Sequence, residues 1–189
     1  TSLQEIKAGA WKRILLVTDG SEFSIGATRE AIRLAQRCQG RLQALSVIPS
    51  NPEFETLAQP LLEKEKQEAL AHLETVRAQA GAAGVPCEIL LRYGDEVYEE
   101  ITEQARQSRM DLIVMGRRGK KDLLRMMLGG TTAKVIGHAD CQVLVVPREA
   151  HLDGQRLLLA VDGSRHSEAA AQAAARLSNH CPVPVSVIS

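Results

Sequence analysis

Residues 116–132, GRRGKKDLLRMMLGGTT, carry the residue types best suited to holding an anion. Glycines stand at 116, 119, 129 and 130, threonines at 131 and 132, and Arg117, Arg118, Lys120, Lys121 and Arg125 face the single acid Asp122. Glycine destabilises helix and strand interiors, so four of them in one stretch need a reason. Bare backbone lets anionic oxygens approach main-chain N–H groups, and a helix start adds unpaired N–H groups and partial positive charge. The Thr131 and Thr132 hydroxyls would add donors. A plainer reading fits equally well: the glycines turn the chain and the basic side chains lie on a solvated helix face. The stretch is neither a P-loop, since no Gly-Lys-Ser/Thr ends it, nor a dinucleotide fingerprint.

The elements around this stretch decide where it would lie. RILLVT (13–18) is a short apolar run of the kind buried on both faces of a parallel sheet. DGSEFS follows with turn residues and a candidate N-cap at Ser24, and Ala27, Ala31, Leu34, Ala35 and Cys38 then recur at helical spacing up to Gly40. RLQALSVI (41–48) reads as a second strand. Pro49, Pro52 and Pro60 mark a loop, and a charged amphipathic helix through Leu70, Leu73 and Val76 ends near Gly81 and Gly84. CEILLRYG (87–94) is a third strand, Val97, Ile101 and Ala105 mark a third helix, and DLIVMG (111–116) is a fourth strand. After the glycine stretch come a helix through Val135 and Ile136 and a fifth strand, QVLVVP (142–147). Alternating strands and helices predict a doubly wound, open parallel α/β sheet. The glycines then fall beyond the carboxyl end of the fourth strand, where such sheets bind ligands.

Composition narrows the classes. The chain has 189 residues, and its 23 Lys+Arg balance 23 Asp+Glu, so it lacks the basic excess of a nucleic-acid binder. Cys38, Cys87, Cys141 and Cys181 form no Cys-x-x-Cys pair, which argues for buried free thiols rather than a zinc site or disulfide framework. No signal-like or membrane-spanning apolar run is present, so a cytoplasmic protein is expected.

The chain also repeats itself. ILLVTDGSEFS (14–24) returns as LLLAVDGSRHS (157–167), Ala31, Leu34 and Cys38 match Ala174, Leu177 and Cys181, and LSVI (45–48) is echoed by VSVI (185–188). A tandem duplication is inferred. The expected division is a first domain over 1–148, a linker over 149–155 and the front of a second, truncated domain over 156–189.

ILLVTDGSEFS, DLIVMGRRG, nine intervening residues, GGTT and CQVLVVP, in that order, resemble the universal stress protein family. Its nucleotide-binding members carry Gly-x2-Gly-x9-Gly-Ser/Thr, and Gly116, Gly119 and Gly129 fit that spacing. The resemblance covers residues 12–147 as a whole domain and 156–189 as the front of another. It implies a Rossmann-like five-stranded sheet of order 3-2-1-4-5, plus the first β-α-β unit of a second copy. It implies ATP as ligand, with Mg2+ an open question. Thr18 and Asp19 would face the adenosine, Val47 and Met115 would flank the adenine, and Gly116, Arg118, Gly119, Gly129, Gly130, Thr131 and Thr132 would line the ribose and phosphates. Asp19 as a turn cap and Val47 and Met115 as plain core remain open alternatives. One departure stands out: Gly130 occupies the family's Ser/Thr position.

Asp19 is the one acid that the sequence places at this site, and no Ser–His–Asp arrangement can be read from spacing. His72 reads as a residue of an exposed helix, and His138 as lying after the fourth helix. The expectation is therefore a regulatory ATP-binding module rather than an efficient enzyme, with slow ATPase or autophosphorylation as the most that the resemblance allows. A dimerising scaffold that binds no ATP is the runner-up, and a flavin-binding protein is disfavoured by 3% aromatics. The apolar fifth strand at a sheet edge predicts a homodimer through 142–147. Neither a nucleic-acid nor a membrane partner is expected.

Overall fold

The computed structural model describes residues 11–50, 59–119, 128–152, 154–180 and 183–189. Along the chain these form β1 (Arg13–Val17), a 3-10 turn (Glu22–Ser24), α1 (Ile25–Arg37), β2 (Arg41–Pro49) and α2 (Gln59–Ala82). There follow β3 (Cys87–Gly94), α3 (Val97–Gln107), β4 (Leu112–Gly116), α4 (Gly130–His138) and β5 (Gln142–Val146). The last three elements are β6 (Leu157–Ala160), α5 (Arg165–His180) and β7 (Val185–Ile188).

The first five strands make one sheet in the order β3-β2-β1-β4-β5, every pair parallel. Strand alternation divides the core into two layers. Ile14, Leu16, Leu42, Ala44, Leu112 and Val114 pack with Ala27, Ala31 and Leu34 of α1 and Leu73, Val76 and Ala80 of α2. Leu15, Leu45, Ile113 and Met115 pack on the other face, with Ile101 and Ala105 of α3 and Val135 of α4. Because helices cover both faces, β1 from Ile14 onward and β4 are apolar at successive positions rather than at every second one. Leu70 departs from the expected helical stripe: it is exposed, while Leu73 and Val76 carry the contact.

The amino ends of β1 and β4 are tied together by Asp111. Its carboxylate accepts the Lys12 and Arg13 amides at 2.9 and 2.8 Å and the Arg13 guanidinium at 3.0 Å. The carboxyl ends diverge into loops, and this asymmetry places the variable chemistry there. Ser24 does sit at the N-cap position of α1, yet its side chain makes no cap hydrogen bond, because its hydroxyl is used elsewhere. None of the described helices is long and apolar enough to cross a membrane.

β6 and β7 form a separate two-stranded parallel sheet. The turn after β6 repeats that after β1 in detail. Asp19 Oδ1 accepts the Ser21 amide at 3.0 Å, and Asp162 Oδ1 accepts the Ser164 amide at 2.9 Å. Gly20 and Gly163 have φ of +71° and +76°, a left-handed conformation that favours glycine. The Ser164 hydroxyl and amide hold the Asp162 carboxyl down to about 2.

Candidate functional site

A cavity of about 650 Å³ opens at the carboxyl ends of β1, β2 and β4. This is where the strand order reverses, between β1 and β4, and where doubly wound sheets take ligands. Its volume lies in the range of small-molecule sites.

β1 and its turn supply Thr18, Asp19 and Gly20 to the wall. Asp19 Oδ1 accepts both the Ser21 amide and, at 2.6 Å, the Ser21 hydroxyl, so one oxygen serves as the turn cap. The other, Oδ2, reaches across the cleft: a Cβ added to Gly119 would meet it at 3.0 Å. Thr18 lines the cavity, but its hydroxyl is spent inside the protein, donating to Ser24 Oγ at 2.9 Å and contacting His72 Nε2 at 2.8 Å. Val47 from β2 and Met115 from β4 supply apolar wall, Met115 being also part of the core.

The loop after β4 contributes Gly116, Arg118 and Gly119. Gly116 has a packing reason to be glycine, since a Cβ there would lie 2.8 Å from the Phe23 carbonyl. The Arg118 guanidinium sits 4.6 Å from the Phe23 ring centroid, a cation–π contact that keeps its charge beside the opening. Lys120, Lys121, Asp122 and Arg125 lie outside the described residues.

At the start of α4 the expected donors separate. Thr131 and Thr132 line the cavity, whereas Gly129 and Gly130 do not. The Gly129 amide donates to the Arg117 carbonyl at 2.9 Å, and the buried Thr132 hydroxyl donates to the Gly116 carbonyl at 3.2 Å. These two bonds fasten α4 to the end of β4. The first intrahelical bond runs from the Ala133 amide to the Gly129 carbonyl at 2.9 Å, so helix geometry leaves the Gly130, Thr131 and Thr132 amides to outside acceptors.

Sequence reading missed one whole wall. Helix α2 turns Glu65, Glu68, Ala69 and His72 into the cavity. His72 is therefore not a residue of an exposed helix face; its ring contacts Thr18 and lies against Gly20. The spacing 65, 68, 72 already put these side chains on one helical face, but nothing local said that the face met the cleft. His138 is likewise corrected: it ends α4 rather than following it, with Nδ1 at 2.8 Å from the Lys134 carbonyl and its ring 5.0 Å from that of Tyr98.

No three His, Cys, Asp or Glu side chains among the described residues converge to hold a metal. Cys38 is buried, Cys87 and Cys141 are half-buried, and burial raises the pKa of all three thiols; Cys181 lies outside the described residues.

A five-stranded 3-2-1-4-5 sheet with its cavity at the switch point defines a Rossmann-like α/β protein. Residues 10–147 match the family model described as the universal stress protein family, and the chain belongs to that family. A universal stress protein of Methanocaldococcus jannaschii is 35% identical over 146 residues, which cover 73% of this chain and 83% of the relative. The solved universal stress protein UspA from Lactobacillus plantarum is 28% identical with a TM-score of 0.66, covering 73% of this chain and 99% of that one. A universal stress protein solved in complex with cAMP shares the fold at 24% identity and a TM-score of 0.60, covering 75% of this chain and 100% of that one.

Proposed function

We propose that this chain is an adenine-nucleotide-binding regulatory module of the stress response, with ATP as its ligand and nucleotide-dependent conformation or dimerisation as its output. The observation that carries the reading is the cavity at the switch point, because its lining combines a carboxylate, apolar side chains, glycine backbone, threonines and an arginine. Asp19 offers a carboxylate suited to a ribose hydroxyl or an amine, and Val47 and Met115 offer apolar surface for a base. Gly116, Arg118, Gly119, Thr131 and Thr132 offer backbone, hydroxyl and guanidinium groups suited to ribose and phosphate. In this reading Gly129 and Gly130 act through the backbone that sets the helix start. The relative solved with cAMP supports an adenine nucleotide as the class of ligand. ATP would arrive alone or with Mg2+; a metal would be carried on the phosphates, since no metal-binding cluster is built from the described residues.

Residues 156–189 are read as the front of a second copy of the same domain. Homodimerisation is assigned to β5, an edge strand of the sheet. The dimerising scaffold without nucleotide is favoured by one observation, the engagement of the Gly129 amide and the Thr132 hydroxyl within the protein. The experiment that separates the two is direct: denature the purified protein, resolve the supernatant by ion exchange, and titrate the protein with ATP calorimetrically. Released adenine nucleotide or a saturable titration is expected. An empty protein with no heat of binding leaves the scaffold.

A further inference from the structure

A chain of hydroxyls beneath the cavity fixes the protonation of His72. Ser24 Oγ lies 2.8 Å from the Ser21 carbonyl oxygen, which only accepts, so the Ser24 proton must lie between them; two bare acceptors at that distance would repel. Thr18 Oγ1, 2.9 Å from Ser24 Oγ, must then give its own proton to Ser24. The Gly20 amide approaches Thr18 Oγ1 at 3.3 Å as a donor. His72 Nε2, 2.8 Å away, can only donate to that oxygen, which selects the Nε2–H tautomer. Thr18 and Ser24 are 3% and 4% exposed, so water cannot easily replace these partners.

The contact links the end of β1 to α2. Thr18 ends β1 and precedes the Asp19 turn, while His72 stands on α2 beside the cavity-lining Glu65 and Glu68. The ring also packs on Gly20, where an added Cβ would lie 3.2 Å from ring Cγ.

We propose that His72 is a positioning residue of the nucleotide cavity: its Nε2–H holds the Thr18–Asp19–Gly20 turn and α2 in register with the ligand, and its charge state makes nucleotide affinity depend on pH. The inference rests on the nucleotide reading given above. The second proton enters at Nδ1, so the imidazolium keeps its bond to Thr18 and adds a positive charge to the wall. Among the described residues, the charged groups that line the cavity with it are Asp19 on the β1 turn, Glu65 and Glu68 on α2, and Arg118 on the loop after β4. The three carboxylates favour the imidazolium, Arg118 opposes it, and an anionic ligand favours it further. Affinity for an anionic nucleotide therefore rises as pH falls through the histidine range.

The test uses the full chain with cAMP as probe, because a phosphodiester keeps one negative charge between about pH 5.5 and pH 8, the span in which histidine titrates. Calorimetric titration of the wild type is expected to show roughly three- to tenfold tighter binding at the lower pH. His72→Gln retains a donor for Thr18 and should bind like wild type at about pH 8 yet stay flat within about twofold across the range. His72→Leu removes the donor and should bind about fivefold more weakly at both. Long-range 1H–15N NMR of the unliganded protein should show the neutral ring protonated at Nε2. A neutral ring protonated at Nδ1, or a His72→Gln protein that keeps the wild-type pH slope, overturns the role of His72 while leaving nucleotide binding intact. A wild type that binds neither cAMP nor ATP at either pH overturns the nucleotide reading and this inference with it.

Discussion

Gly130 stands where the resemblance to the family leads one to expect Ser or Thr, and nothing among the described residues requires glycine there. A Cβ at this position meets open space, and its φ is not in the left-handed region. Gly130→Ser would place a hydroxyl at the first residue of α4 and remove a helix-disfavouring residue, a gain of about 0.5 kcal/mol in propensity. A hydroxyl bond to phosphate contributes about 1.5–3 kcal/mol, so the variant should bind ATP roughly tenfold more tightly. Calorimetry reads the outcome; unchanged affinity would place the phosphates away from the α4 start. Gly116 and Gly119 differ from Gly130 in having neighbours that a side chain would strike, the Phe23 carbonyl and Asp19 Oδ2. Glycine spacing was legible in the sequence. Which glycine is required by packing depended on the Phe23 carbonyl and the Asp19 carboxylate, far away along the chain.

Elements were the most legible scale. Strands buried on both faces must be apolar at successive positions, and RILLV, LIVMG and QVLVV carry that mark locally. Their order and register were not local, and Asp111 shows what helps to fix them. Burial pushes its carboxyl up, but the Arg13 guanidinium and the Arg13 and Lys12 amides outweigh that and hold its pKa below the ordinary carboxylate value. A depressed folded-state pKa means the contribution is present above the unfolded value, near 3.9, and is lost as pH falls through the folded one. Asp111→Asn should therefore lower stability by about 1–2 kcal/mol at neutral pH. The gap from wild type should close as pH falls through the depressed folded-state value. Urea unfolding at neutral and acid pH checks this, and a gap that persists in acid would show that the charge is not the source.

At the scale of the whole molecule, β5 borders the sheet beside β4, leaving its outer edge without a neighbour among the described strands. Exposed edges of apolar strands favour pairing, so light scattering of the purified chain should report a dimer at micromolar concentration. A monomer there would contradict pairing through 142–147. The β6–β7 sheet presents Leu158, Val187 and Ile188 more than half exposed, while its Asp–Gly–Ser turn repeats the Asp Oδ1 to Ser amide bond of the turn after β1. The repeat was visible as letters, and the matching turns show that it is also a repeat of local geometry.

The sequence by itself determined the strand and helix pattern, the repeat and the glycine spacing, because each depends on side-chain periodicity or backbone freedom over a few consecutive residues. Only the tertiary structure decided that α2 walls the cavity with His72, that the Thr18 hydroxyl is saturated, and that the Gly129 amide and the Thr132 hydroxyl bond within the protein. Hydrogen-bond partners are settled by atoms brought together across the fold. A polar group's availability to a ligand is what remains after those partners have been served.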